Sequence, residues 1–239
     1  MGLDPKRRLT PLIEAQRGFV FGEIWSRNDF RRRYRWIISM CCVADSGDAA
    51  QIQTYVRGAL TSGDLSLTEI REIILHFAVY CGWPKAEFFD DITTRVAGDL
   101  GLVEAIVQDQ LSLEPTERIE RGAACWEDVM TFAAPDPTPP YSHAGMLNFV
   151  FGEMWNRPGL DRVSRRYVTL TCVGLNDGSG PIVSHIYAAM KTGQVSLQDM
   201  REFVLHFAVY AGWPKASPMH ALSEQIADRI DGPLPFDLM

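Results

Sequence analysis

Two stripes of polar side chains in this sequence could do chemistry. Glu72, His76 and Tyr80 follow one another at intervals of four, and Glu202, His206 and Tyr210 repeat that order 130 positions later. On a helix, residues four apart lie on one face, one turn above the other. A carboxylate one turn from an imidazole can raise its pKa and fix its orientation, which suits a general acid or base. The alternative is a buried histidine bonded to its neighbours across a helix contact. A second polar set also occurs twice, as Glu23, Trp25, Arg27 and as Glu153, Trp155, Arg157. Arginine grips carboxylates bidentately, so this set offers an anchor for an anionic substrate. Read as a surface pair at i and i+4, it would add little to stability.

The elements that must carry these residues are helices. Ser66-Leu67-Thr68-Glu69 has the form of a capping box, and Ser196-Leu197-Gln198-Asp199 is its weaker twin. Apolar residues then recur at three and four (Ile70, Ile73, Ile74, Phe77, Cys81). Gly82 and Gly212 follow the last turn, where a left-handed residue commonly ends a helix, and Pro84 and Pro214 stand where the next helix begins. Trp83 and Trp213, in the turn itself, are expected as packing anchors. The apolar run 36–44 fits a buried helix, 117–132 reads as another, and PDPTPPY after it as a linker. No convincing period-two strand is found, so the fold class is all-α.

The repetition covers the chain. Phe19–Arg27 lies over Phe149–Arg157, Cys42-Val43 over Cys172-Val173, and HFAVYCGWPKA over HFAVYAGWPKA, all at the same offset. This spacing is too long for a solenoid and implies a tandem duplication of one domain.

Composition narrows the partners. A net charge of −7 and a pI near 5.3 disfavour nucleic acid or an anionic membrane. The small basic clusters, Lys6-Arg7-Arg8 and Arg31-Arg32-Arg33, read as solvated ends. No apolar stretch approaches the roughly 20 residues of a membrane span, and the N-terminus has no signal-peptide core. Five scattered cysteines, none in a CxxC spacing, read as reduced thiols of a cytoplasmic protein without a zinc framework. Cys42 and Cys172, in apolar runs, read as inert core thiols.

Three ordered blocks carry a family likeness: FGEMWNRPGL, SHIYAAMKTGQVS and REFVLHFAVYAGWPKA, matched earlier by FGEIWSRNDF, QTYVRGALTSGDLS and REIILHFAVYCGWPKA. Together they resemble the carboxymuconolactone decarboxylase family, within the alkylhydroperoxidase D-like superfamily. Glu117 to Gly122 is similar to that family's N-terminal leader, so the helix it opens would begin a second domain. The resemblance implies two such domains, residues 1–112 with a shortened leader and residues 113–239. It also implies homo-oligomers, here a possible trimer of tandem chains forming a six-domain ring.

The superfamily's thiol branch uses Cys-x-x-Cys-x-x-x-His preceded by a glutamate. Carried over, the histidine falls on His185, but the cysteine positions fall on Gly178 and Pro181 and the glutamate on Arg166. The first copy has Asp48, Gln51, Tyr55 and Trp36 at those positions. Peroxidatic chemistry of that type needs a low-pKa thiolate with a resolving thiol, and neither copy supplies them there.

The name-giving reaction implied by the resemblance removes CO₂ from a carboxylated lactone, in the degradation of aromatic compounds. The substrate is its own electron sink, so no cofactor and no metal is expected. The protein must orient carboxylates, stabilise an oxyanion and protonate carbon. The candidate catalytic residues are His185, His206, Glu202, Glu153 and His76. The candidate substrate-binding residues are Arg157, Trp155, Tyr210, Arg27 and Tyr55. Tyr55 in place of a second His185 implies two pockets that are no longer equivalent. The expected partner is a small carboxylated metabolite, and the alternatives are a non-catalytic ligand-binding scaffold and a thiol-dependent peroxidase.

Overall fold

The computed structural model describes residues 10–103, 114–176 and 178–239. Lys6-Arg7-Arg8 and the expected domain boundary between 112 and 113 lie outside the described residues.

The helices follow the local signals. α1 (Pro11–Ala15) runs into a π-helical stretch, Gln16–Ile24, and α2 (Arg32–Ser46), α3 (Ala49–Ser62), α4 (Leu67–Cys81) and α5 (Trp83–Asp99) complete the first half. α6 (Pro115–Met130) and a second π-helical stretch, Tyr141–Val150, open the second half, followed by α7 (Arg162–Leu175), α8 (Ser179–Lys191), α9 (Leu197–Ala211) and α10 (Trp213–Ala227). No strand occurs among the described residues, and none of their helices is long and apolar enough to cross a membrane. From α2 to α5 and from α7 to α10 the helices recur in the same order near the 130-residue offset.

Both capping boxes form, the Ser196–Asp199 version as fully as the Ser66–Glu69 one. Gly82 and Gly212 have φ of 94° and 95° but ψ of 147°, so they are not the left-handed caps expected. They instead occupy an extended region that is essentially glycine's alone, which lets α5 and α10 start at the very next residue. Trp83 and Trp213, expected as anchors, are 52% and 55% exposed because they sit on the first turns of α5 and α10. Each keeps one ring contact with the opposite half, Trp83 with Phe149 and Trp213 with Phe19.

The halves do not bury their cores separately. α2 packs on α7, α4 on α7 and α9 on α2, and one hydrophobic cluster runs through both halves. Phe77, Phe89, Phe203 and Phe207 are fully buried within it, each contributing about 2–3 kcal/mol. Each stripe-bearing helix therefore lies against the central helix of the other half. α6 also packs on the second π-helical stretch through a close approach at Gly122. A Cβ there would stand 1.8 Å from the carbonyl oxygen of Leu147.

Candidate functional site

The crossing of halves creates two related clusters. In one, His206 on α9 places Nε2 2.9 Å from Ser39 Oγ on α2, and Nδ1 3.4 Å from Nη1 of Arg35. A guanidinium has only donors, so Nδ1 accepts and Nε2 carries the proton toward Ser39. Glu202 accepts hydrogen bonds from Arg27 and, at 3.4 Å, from Arg35. Trp25 Nε1 donates to the Tyr210 hydroxyl at 2.7 Å, and Tyr55 donates its own hydroxyl to the same oxygen at 2.9 Å.

The other cluster repeats this plan. His76 on α4 lies 2.7 Å through Nε2 from Thr169 Oγ1 on α7. Glu72 accepts from Arg157 Nε at 2.8 Å and from Arg165 Nη2 at 3.1 Å, and Glu153 accepts from Arg157 Nη1 at 2.9 Å. His76 stacks on Tyr80 and meets Trp155 edge-on.

The expected raising of the histidine pKa by the neighbouring carboxylate is reversed. Glu72 and Glu202 are taken up by arginines, and both histidines are fully buried. Burial first, then Arg165 for His76 and Arg35 for His206, holds both imidazoles well below their ordinary value, so they are neutral. Their geometry is that of a helix–helix tie.

A ligand could enter beside the His76 cluster. A half-open cavity of about 610 Å³ lies beside the His76 cluster, lined by Tyr80, Trp126, Tyr141, Met146, Ser184 and His185 among others. His185 meets Tyr80 edge-on, with ring centroids 5.6 Å apart. Burial, then the charge of Arg166, lowers its pKa to about 3, and its Nδ1 has no partner. Burial pushes the Tyr80 phenol up to about 12, with the nearby Thr169 and Trp155 side chains acting in the opposite direction. It therefore stays a protonated donor at neutral pH.

Of the predicted site residues, only His185 is a lining residue of this cavity. His76, Glu153, Trp155 and Arg157 form the network behind it, whereas His206, Glu202, Tyr210, Arg27 and Tyr55 belong to the other cluster. Glu23 is exposed and does not mirror its buried counterpart Glu153. The three side chains His185, His206 and Arg157 thus do not converge on one hollow.

Sequence reading passed over Arg166 as a site residue. It is 1% exposed, donates through Nε to Gln194 Oε1 at 2.8 Å and through Nη2 to the Val129 carbonyl, and lies over the Trp155 ring. Nη1 has no partner, and among the described residues no carboxylate pairs with this guanidinium. Burial draws its pKa down to about 10, which leaves it charged. The available signal was a pair of arginines, Arg165 and Arg166, opening an otherwise apolar helical run. Among the described residues no group of three or more His, Cys, Asp or Glu could hold a metal.

The stretch that carries most of this cavity, residues 140–224, matches the sequence profile of the carboxymuconolactone decarboxylase family. This stretch is similar to that family. A 4-carboxymuconolactone decarboxylase of Acinetobacter baylyi is 31% identical over 78 residues, covering 33% of this chain and 58% of the relative. A nitrosuccinic acid decarboxylase of Metarhizium robertsii is 29% identical over 82 residues, covering 34% of this chain and 57% of the relative. The chain spans somewhat more than half the length of these curated relatives. The all-α architecture agrees with that likeness, and the stretch contributes α7 to α9 and most of α10.

Proposed function

We propose that the protein is a cofactor-independent carboxy-lyase for a small carboxylated metabolite, working in the cavity beside His185 and Tyr80. The observation that carries this reading is a buried guanidinium, Arg166, without a carboxylate, standing behind a cavity whose wall holds two protonatable groups. A charge taken out of water is costly unless paired, so the site is set to receive an anion. The decarboxylase names of both relatives point the same way.

Loss of CO₂ from a carboxylated unsaturated lactone leaves an electron pair that moves through the alkene to the carbonyl oxygen. Tyr80, protonated and partly desolvated, is the donor for that oxygen. Burial and the charge of Arg166 keep His185 neutral. An arriving carboxylate offsets desolvation and favours its protonated form, which makes it the acid that returns a proton to carbon. Arg166 contributes long-range attraction. Glu72, Glu153, Arg157, His76 and Thr169 hold the helix ends in register.

In this reading residues 1–112 and 113–239 are two copies of one domain, and Tyr55 bonded to Tyr210 leaves the first copy without a working counterpart. Self-association as a trimer of tandem chains is carried with it, tested by light scattering. The test of function is CO₂ release from a carboxylated butenolide. His185→Gln is expected to lower kcat by about a hundredfold or more and Tyr80→Phe by about tenfold, with the fold retained. Binding without CO₂ release by the wild-type protein would favour a ligand-binding scaffold. That reading has its own support in the occupation of Arg157 and Arg27 by glutamates.

A further inference from the structure

The five thiols are unbridged, and three of them meet where the two halves cross. Cys172 on α7 lies near Cys41 on α2 and Cys81 at the end of α4, close enough for each of them to raise its pKa. Asn176 pins the same place: its amide donates to the Cys172 carbonyl at 2.8 Å, to the Tyr80 carbonyl at 3.2 Å and to Cys81 Sγ at 3.5 Å. Cys81 is half-buried and open to small solutes, while Cys41 and Cys172 are fully buried. The arrangement occurs on one side only, because the residue 130 positions after Cys81 is Ala211. The catalytic scheme uses none of these thiols.

We propose that Cys81 and Cys172 are an oxidisable pair that a hydroperoxide converts into a disulfide, tying the end of α4 to α7 across the two halves. Cys81 is the attacking group. The neighbouring Cys172 thiol and the Asn176 hydrogen bond lower its pKa against the opposing effect of burial, whereas burial pushes Cys172 up. The Cys81 sulfur attacks the peroxide, an S–O bond forms as the O–O bond breaks, and hydroxide leaves as water. Cys172 then attacks the resulting sulfenic acid, the S–S bond forms as the S–O bond breaks, and the Cys172 proton leaves with the second water. Two thiols are oxidised by two electrons and one hydrogen peroxide becomes two waters. These positions are not those of the superfamily's thiol branch, which hold Gly178 and Pro181 here. Since Cys81 follows Tyr80 directly, the bridge would also fix the turn that carries a cavity residue.

The experiment uses the full chain, hydrogen peroxide, alkylation of remaining thiols and peptide mapping without reductant. The expected result is loss of two hydrogens in the intact mass, with a linked peptide pair containing Cys81 and Cys172 that dithiothreitol separates. Cys172→Ser should leave Cys81 as a sulfenic acid captured by dimedone, and Cys81→Ser, at a half-exposed position, should abolish the link. Both thiols remaining fully alkylatable at peroxide levels that oxidise glutathione would overturn the proposal. So would a bridge between Cys172 and Cys41 with Cys81 left free. The map of the wild-type chain decides the matter even if Cys172→Ser fails to fold.

Discussion

Acidification from pH 7.5 to 5.5 should remove a large share of the folding stability, because three histidines are buried as neutral rings. His76, His206 and His185 are 0%, 0% and 8% exposed, and burial holds all three below their ordinary pKa, His185 at about 3. In the unfolded chain each titrates near 6.5. Below that value the unfolded state binds protons that the folded state refuses, so stability is complete above it and falls as pH drops. At pH 5.5 a ring that stays neutral when folded loses about 1.4 kcal/mol, and three such rings lose about 4 kcal/mol together. The depressed pKa of Glu202 acts only lower, below its unfolded value near 4.5, and does not enter this window. For a chain of this size the loss corresponds to a fall in Tm of about 8–16 °C. Urea titrations at matched ionic strength, followed by circular dichroism, would measure it, and His185→Gln should remove roughly a third of the drop. Equal stability at the two pH values, within about 1 kcal/mol, would mean that the folded protein accepts these protons. The neutral state assigned to the His76 and His206 ties would then be wrong.

Other substitutions separate the parts of the design. Glu72→Ala strands the fully buried Arg165 beside an Arg157 that is 16% exposed and should cost about 3–5 kcal/mol. Glu202→Ala should cost less, because Arg27 is 38% exposed and can rehydrate; denaturant midpoints would rank the two. Gly122→Ala forces backbone apart between α6 and the stretch 141–150 and should lower stability by about 3 kcal/mol, read by thermal melting. Arg166→Met should leave stability unchanged or raised while weakening carboxylate binding at least tenfold by calorimetry. Destabilisation with unchanged binding would make Arg166 a structural residue.

Much of the fold could be read from residues that act locally. Ser66 and Ser196 cap, the apolar spacing from Ile70 to Phe77 makes a helix face, and Pro84 and Pro214 open the next helices. These signals depend on neighbours within four residues, so the sequence displays them. The site was less legible because its parts meet across the two halves. Nothing near His76 announces Thr169, and nothing near Glu72 announces Arg165. A carboxylate one turn away was the visible partner, and a guanidinium from the other half took it. Gly82 shows the limit at short range too: glycine was expected, yet its ψ reflects the immediate restart of α5.

Crossing the halves also explains how two nearly identical peptides can serve unequal sites. Each HFAVY helix meets the partner half, so its surroundings are set by residues that do not lie in its own half. Around His206 the opposing helix offers Ser39, Arg35 and Trp36, and the Trp36 indole donates to Asp64 at 2.9 Å. Tyr55 then bonds to Tyr210, so on that side the two phenols satisfy each other. Around His76 the corresponding positions hold Thr169, Arg165 and Arg166, and Gln194 stands where Asp64 would have supplied a charge. Three replacements, Trp36 by Arg166, Asp64 by Gln194 and Tyr55 by His185, leave one side with a buried cation and an unpartnered imidazole nitrogen beside a cavity. Packing alone disfavours each of these, since a tryptophan–aspartate pair fills and satisfies the same space. Their cost falls on one side while the helices that carry them stay bound to the unaltered other side. A single-copy domain would have to bear that cost in every site it forms.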